Sequence, residues 1–199
     1  MHGRPRAFNI LSYGAIYPIM ITVISGTNRR NSKTLHFAEH YHQLLSQHSS
    51  EEVHLLDLAE LPMAAYHADM YSPEGQHPEI ARIQDEWLVP SDKMVYIYPE
   101  YNGGVPGALK LFIDAVSIRN RDSVFRGKKA MLTGIAAGRS GNLRGLDHLT
   151  NMLNYLGSVI LPNKVPISGI GSLLHPDGEI HDEGTRAVIA KQVEQFVAF

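Results

Sequence analysis

The chain has 199 residues, 44% of them hydrophobic and 19% charged, which is enough for one domain with a full core and too short for two ordinary ones. A formal net charge of -2 leaves no basic excess to neutralise a nucleic-acid backbone. With 0 cysteines, a disulfide framework, a thiol nucleophile, thiolate-bound zinc and iron–sulfur clusters are excluded, and the composition fits a reducing, cytoplasmic compartment.

Residues 7–24 carry no charge and follow Arg4 and Arg6, which imitates a signal peptide or a membrane span of roughly 18 to 20 residues. Asn9, Ser12, Gly14 and Pro18 interrupt the stretch, and no small-residue cleavage pattern follows it. Its β-branched end (Ile19, Ile21, Thr22, Val23, Ile24) runs into a glycine loop and then an amphipathic helix, as a first buried strand does. Residues 1–18 are therefore expected to be a dispensable extension, 19–199 the domain, and no membrane contact is expected. Apolar spacing then predicts a helix over 33–48, a short strand at Val53–Leu58, a long loop over 62–78 and a helix carrying Ile80, Ile83, Trp87 and Leu88. A strand at 94–99 follows, then a helix on Leu109, Phe112, Ile113 and Val116, a strand at 130–136, and a helix on Leu143, Leu146, Leu149, Leu153 and Leu156. A fifth strand at 158–162 and a C-terminal helix on Ile189, Val193, Phe196 and Val197 complete the series. Strand then helix, five times over, implies an α/β three-layer sandwich with a five-stranded parallel sheet, for which the flavodoxin-like order 2-1-3-4-5 is the expected one. Ligands of such sheets bind beyond the carboxyl ends of the strands, at the switch point.

Three loops reach that edge. After strand 1, the segment Gly26-Thr27-Asn28-Arg29-Arg30-Asn31-Ser32-Lys33-Thr34 gathers hydroxyls, amides and cations where a helix begins. A helix N-terminus is a ready phosphate site. The hydroxyls of Thr27, Ser32 and Thr34 are suited to phosphate oxygens, Arg29 to a bidentate contact and Lys33 to a point charge. After strand 3, Pro99-Glu100-Tyr101-Asn102-Gly103-Gly104 sets an aromatic and an amide in a turn-forming loop. After strand 4, Ala136-Ala137-Gly138-Arg139-Ser140-Gly141-Asn142 offers small residues to a flat ligand. A Walker A loop does not fit, because Ser32 stands where its second glycine belongs; G-x-G-x-x-G and G-x-S-x-G are both missing. His36 and His40 lie four apart on a helix without an identifiable third ligand, so no metal site is expected. Tyr66, His67 and Tyr71 sit in the long loop and are candidates for substrate contact.

These motifs resemble the NADPH-dependent FMN reductase family, flavodoxin-like flavoenzymes that include quinone, azo-dye and chromate reductases. Residues 26–34 look like the family's G-S-x-R-x-x-S phosphate loop, with Thr27 in place of Ser, and residues 99–110 are similar to its P-E-Y-N-G-S-x-P-G-x-L-K segment. Asp182-Glu183-Gly184-Thr185-Arg186 is similar to the start of its last helix, while Ala115 stands where the family commonly has Trp. The resemblance covers about residues 20–199. It implies FMN as cofactor, with Thr27, Arg29, Ser32, Lys33 and Thr34 toward the phosphate. Pro99, Glu100, Tyr101, Asn102 and Gly103 would line the ribityl chain and ring, and Gly138 and Arg139 the pyrimidine end. It also implies NADPH or NADH as cosubstrate, a small-molecule electron acceptor of the quinone, azo or nitro type, and a homodimer or homotetramer. No protein acid or base is named, since the flavin carries the chemistry. The alternative is a flavodoxin-like electron carrier or FMN-binding regulator without NAD(P)H turnover.

Overall fold

The computed structural model describes residues 20–72 and 75–199; the expectations for residues 1–18 fall outside the described residues. β1 (Met20–Ser25) is buried along its whole length, as a parallel strand covered on both faces must be. It pairs with β2 (Glu52–Asp57) on one side and β3 (Ser91–Pro99) on the other, both in parallel. β3 pairs with β4 (Lys129–Ile135), and β4 with β5 (Val159–Ile160), so the order is β2-β1-β3-β4-β5, the flavodoxin-like order expected.

Strand side chains alternate between two apolar layers with the period of a pleated strand. Ile21, Val23, Val95, Ile97, Met131 and Ile135 meet α1 (Lys33–His48) and α6 (Glu183–Ala198). Ile24, Met94, Tyr96, Tyr98, Ala130 and Leu132 meet α2 (Pro78–Ile83), α3 (Gly107–Val116), α4 (Arg121–Phe125) and α5 (Leu143–Leu156). α1 buries Phe37, Ala38, Tyr41 and Leu45, one stripe of a 3.6-residue repeat. A buried polar knot fixes its position: Tyr41 donates to Gln192 Oε1 at 2.5 Å, Thr133 Oγ1 lies 2.9 Å from both, and Gln192 Nε2 donates to the Leu132 carbonyl. α1, α6 and β4 are thus held together by bonds with no competing water.

The structure refines several sequence expectations. The strand expected at 158–162 is divided: Val159 and Ile160 pair with β4, the Leu161 amide still donates to the Ala130 carbonyl at 2.8 Å, and then Pro162 has no N–H to offer. Pairing with β4 resumes in β6 (Val165–Ile167), so two short strands share the last position. The helix expected near 80–88 starts at Pro78, which suits a first helical turn, and widens into a π turn over Gln84–Leu88. The loop after β2 contains single 3₁₀ turns at Met63–Ala65 and Ala68–Tyr71. α4 and the antiparallel bridge between Leu174 and Ile180 have no counterpart in the sequence reading.

Candidate cofactor site

The loops after β1, β3 and β4 meet at the carboxyl edge of the sheet. The Gly26 amide donates to the Ile97 carbonyl at 2.8 Å, drawing the first loop onto β3. A Cβ at Gly26 would stand 2.9 Å from Tyr98 Cβ and 3.0 Å from Leu109 Cδ2, so only glycine fits there. Thr27 is fully buried; its Oγ1 accepts from the Arg29 amide at 3.2 Å and lies 2.8 Å from the Tyr101 hydroxyl. Asn31 takes a left-handed conformation (φ +54°) and leads into Ser32, which caps α1 by accepting from the Thr34 amide at 3.2 Å. Thr34 is buried inside the first turn, while Arg29, Arg30 and Lys33 are exposed on the outer side of the loop. Among the described residues no carboxylate pairs with these three cations, and no acidic side chain occupies the first turn of α1.

Pro99 ends β3 in register with Ile135, and the Glu100 amide donates to the Ile135 carbonyl. Tyr101 and Gly104 then exchange two backbone hydrogen bonds of 3.1 Å, with Asn102 (φ +52°) and Gly103 (φ +75°) between them. Two positive φ values in succession define a type I′ turn, for which Asn-Gly is the favoured pair. The turn leaves Tyr101 half-buried and Asn102 exposed. Ser140 of the third loop donates to Glu100 Oε2 at 3.0 Å. Gly138 and Arg139 are exposed on that loop. Thr27, Tyr101, Glu100 and Ser140 therefore join the three loops.

Two participants escaped the sequence reading. Ser140 was only a small residue in a glycine-rich loop. Asn142 is buried with φ +68°; its Nδ2 donates to the Tyr98 carbonyl at 3.2 Å, its Oδ1 has no partner among the described residues, and it holds the start of α5 against β3. Asn after Gly, just before a helix, was the available signal, since Asn tolerates the left-handed region. Of the long-loop candidates, Tyr66 packs on the core with its hydroxyl buried and unpartnered, and burial pushes its phenol up to about 12. His67 lies 3.9 Å from Asp69, and Tyr71 is exposed. His36 pairs with Glu39, and among the described residues no group of three or more His, Asp or Glu is arranged to hold a metal. No described helix is long and apolar enough to cross a membrane.

A phosphate monoester fits the first loop. Ser32 Oγ, while accepting from Thr34, keeps its own proton to donate, and the helix N-terminus adds unpaired amides and partial positive charge. Arg29, Arg30 and Lys33, which pair with no carboxylate among the described residues, complement a dianion. A cavity of about 660 Å³ opens on the β2 side of this loop, lined by Arg30, Asn31 and Ser32 of the loop, His36 of α1, Asp57 at the end of β2 and Leu61 after it.

Fold and site together define a flavodoxin-like α/β protein with a cationic, hydroxyl-rich loop at its switch point. A protein-family model described as NADPH-dependent FMN reductase matches residues 19–171, and the chain belongs to that family. That membership makes it an NAD(P)H-dependent oxidoreductase with FMN as cofactor. The chain is 33% identical over 155 residues to a quinone reductase of Escherichia coli (strain K12), covering 76% of this chain and 80% of that one. It is 27% identical over 183 residues to a 2-hydroxy-1,4-benzoquinone reductase of a Burkholderia species, covering 91% and 96%. Among solved structures it is similar to a flavoenzyme NAD(P)H:(acceptor) oxidoreductase of Paracoccus denitrificans, with a TM-score of 0.71, 26% identity, and 92% and 96% of the two chains covered.

Proposed function

We propose that this protein takes two electrons and a proton from NAD(P)H and delivers them, with a second proton from solvent, to a quinone or a related azo or nitro acceptor. The observation that carries the reading is the joining of three loops at one sheet edge by the Thr27–Tyr101 and Glu100–Ser140 bonds. The names of the E. coli and Burkholderia relatives support a quinone as acceptor. FMN, when bound, supplies the hydride and electron chemistry linking donor and acceptor. The chain's own residues bind and orient. Ser32 and Arg29 hold the phosphate end, with Lys33 adding charge. The type I′ turn fixes Tyr101, Asn102 and Gly103, and the Glu100–Ser140 bond sets the separation of the β3 and β4 loops. Gly138 and Arg139 border the pyrimidine end.

The setting is cytoplasmic, a reading supported by the cysteine-free composition. The working form is a homodimer or homotetramer in which a second subunit walls the open side of the crevice. Absorbance of the purified or FMN-reconstituted protein tests the cofactor. NADPH and NADH oxidation with a soluble quinone tests turnover. Flavin binding with no nicotinamide oxidation would leave an electron carrier instead; no flavin binding would reject both.

A further inference from the structure

Thr27 Oγ1 and the Tyr101 hydroxyl stand 2.8 Å apart, and Thr27 Oγ1 also accepts from the Arg29 amide. Each hydroxyl carries one proton and two lone pairs. One hydroxyl proton lies in the bond between the two oxygens, which leaves one over. If Tyr101 donates to Thr27, both lone pairs of Thr27 are filled and its own proton is free. If Thr27 donates to Tyr101, the phenolic proton is free. No other hydrogen bond engages either hydroxyl among the described residues. Thr27 has no exposed surface, whereas Tyr101 is half-buried on the neighbouring loop, so the second order is the one that brings a donor outward.

We infer that Thr27 and Tyr101 form one hydroxyl latch, in which Thr27 donates to Tyr101 and the phenolic proton is presented to the phosphate of the cofactor. The inference rests on the reading that FMN binds at the first loop. It makes Tyr101 a determinant of phosphate recognition supplied by the β3 loop, in addition to a wall of the ring site. A phosphate dianion only accepts hydrogen bonds, so it selects this proton order and locks the β1 and β3 loops together. A flavin without phosphate leaves the order unselected.

Fluorescence titration of apoprotein with FMN and with riboflavin tests the latch. Tyr101→Phe keeps the ring and removes the hydroxyl; the FMN dissociation constant should rise roughly 10- to 100-fold, as for loss of one bond to a charged group, with riboflavin affinity within about twofold of wild type. Thr27→Val should show the same selective loss, and the double variant should be no worse than the weaker single variant, because paired groups are not additive. Thr27→Ser should restore FMN affinity. Thermal melting of each apoprotein separates folding from recognition, and Tyr101→Phe decides the matter alone if Thr27→Val does not fold. Equal losses for both flavins, or single losses that add in the double variant, overturn the latch while sparing the FMN reading. Wild-type protein that binds neither flavin overturns both.

Discussion

The approach of the first loop to β3 depends on one missing methyl group. A side chain at Gly26 would meet Tyr98 Cβ at 2.9 Å, and that atom is anchored to a buried strand and cannot swing aside. Gly26→Ala should therefore cost about 1–3 kcal/mol of apoprotein stability, the range for overpacking a filled core. Urea unfolding at fixed pH measures it; an unchanged midpoint would mean that β1 and β3 can separate without loss. Arg29 presents the opposite case, an exposed cation with no carboxylate partner beside a helix N-terminus. Among the described residues its guanidinium has no structural bond to lose, so Arg29→Ala should weaken FMN binding by about 1.5–3 kcal/mol, the worth of a hydrogen bond to a charged group. Riboflavin affinity should barely change. Equal losses for the two flavins would assign Arg29 to folding.

At the scale of elements, α1 carries both the proposed phosphate end of the site and a pH-sensitive contact on its side. His40 faces Glu179 of the segment around the Leu174–Ile180 bridge and Arg186 of α6, and its Nε2 is buried without a partner. Burial first, and Arg186 second, hold the imidazole below its ordinary value of 6.5, against an opposing pull from Glu179. The folded state then binds fewer protons than the unfolded chain, so this contribution to stability is present above pH 6.5 and is lost as pH falls through the lowered folded-state value. His40→Leu should flatten the fall of the melting temperature between pH 7.5 and about pH 5. A fall as steep as that of wild type would place the sensitivity elsewhere. The Asp182 cap of α6 is lost in a separate, more acid window, because its bond from Thr185 holds its carboxyl below 3.8. Elements of this kind were largely legible. The apolar repeat and Ser32 mark α1 at its observed limits, and Pro162 marks where the last strand must break. The pairing of side chains across loops was not. Thr27 meets Tyr101, 74 positions away, and Ser140 meets Glu100, 40 positions away, and no local pattern encodes such partners. Asn142 illustrates the same limit, since a residue before a helix reads as a cap while its amide serves the β3 carbonyl instead.

At the scale of the whole molecule, a flavin ring held at the ends of β1, β3 and β4, as proposed, would have one side covered by its own chain and one side open. α3 and α5 start at that edge and, toward their C-terminal ends, present surface suited to a second copy. α3 and α5 enclose a groove of about 380 Å³ lined by Lys110, Ile113, Ser117, Met152, Tyr155 and Leu156. Tyr155 is 79% exposed, an unusual position for a ring that could bury apolar area. Ala115 faces the core and takes no part in this groove. From the loop after β2, Met63 and Tyr71 add further exposed apolar surface. A groove between α3 and α5 suits an isologous pairing, the closed arrangement most oligomers adopt. Light scattering of FMN-loaded protein at micromolar concentration should give at least twice the 22.1 kDa chain mass. Tyr155→Glu should shift that mass toward the single chain by placing two like charges near the two-fold axis. It should also lower turnover with the quinone more than it lowers FMN affinity, because the acceptor side of the crevice loses its second wall. A single-chain mass for the wild type, with full NAD(P)H-dependent turnover at the same concentration, would reject the idea that a partner completes the site.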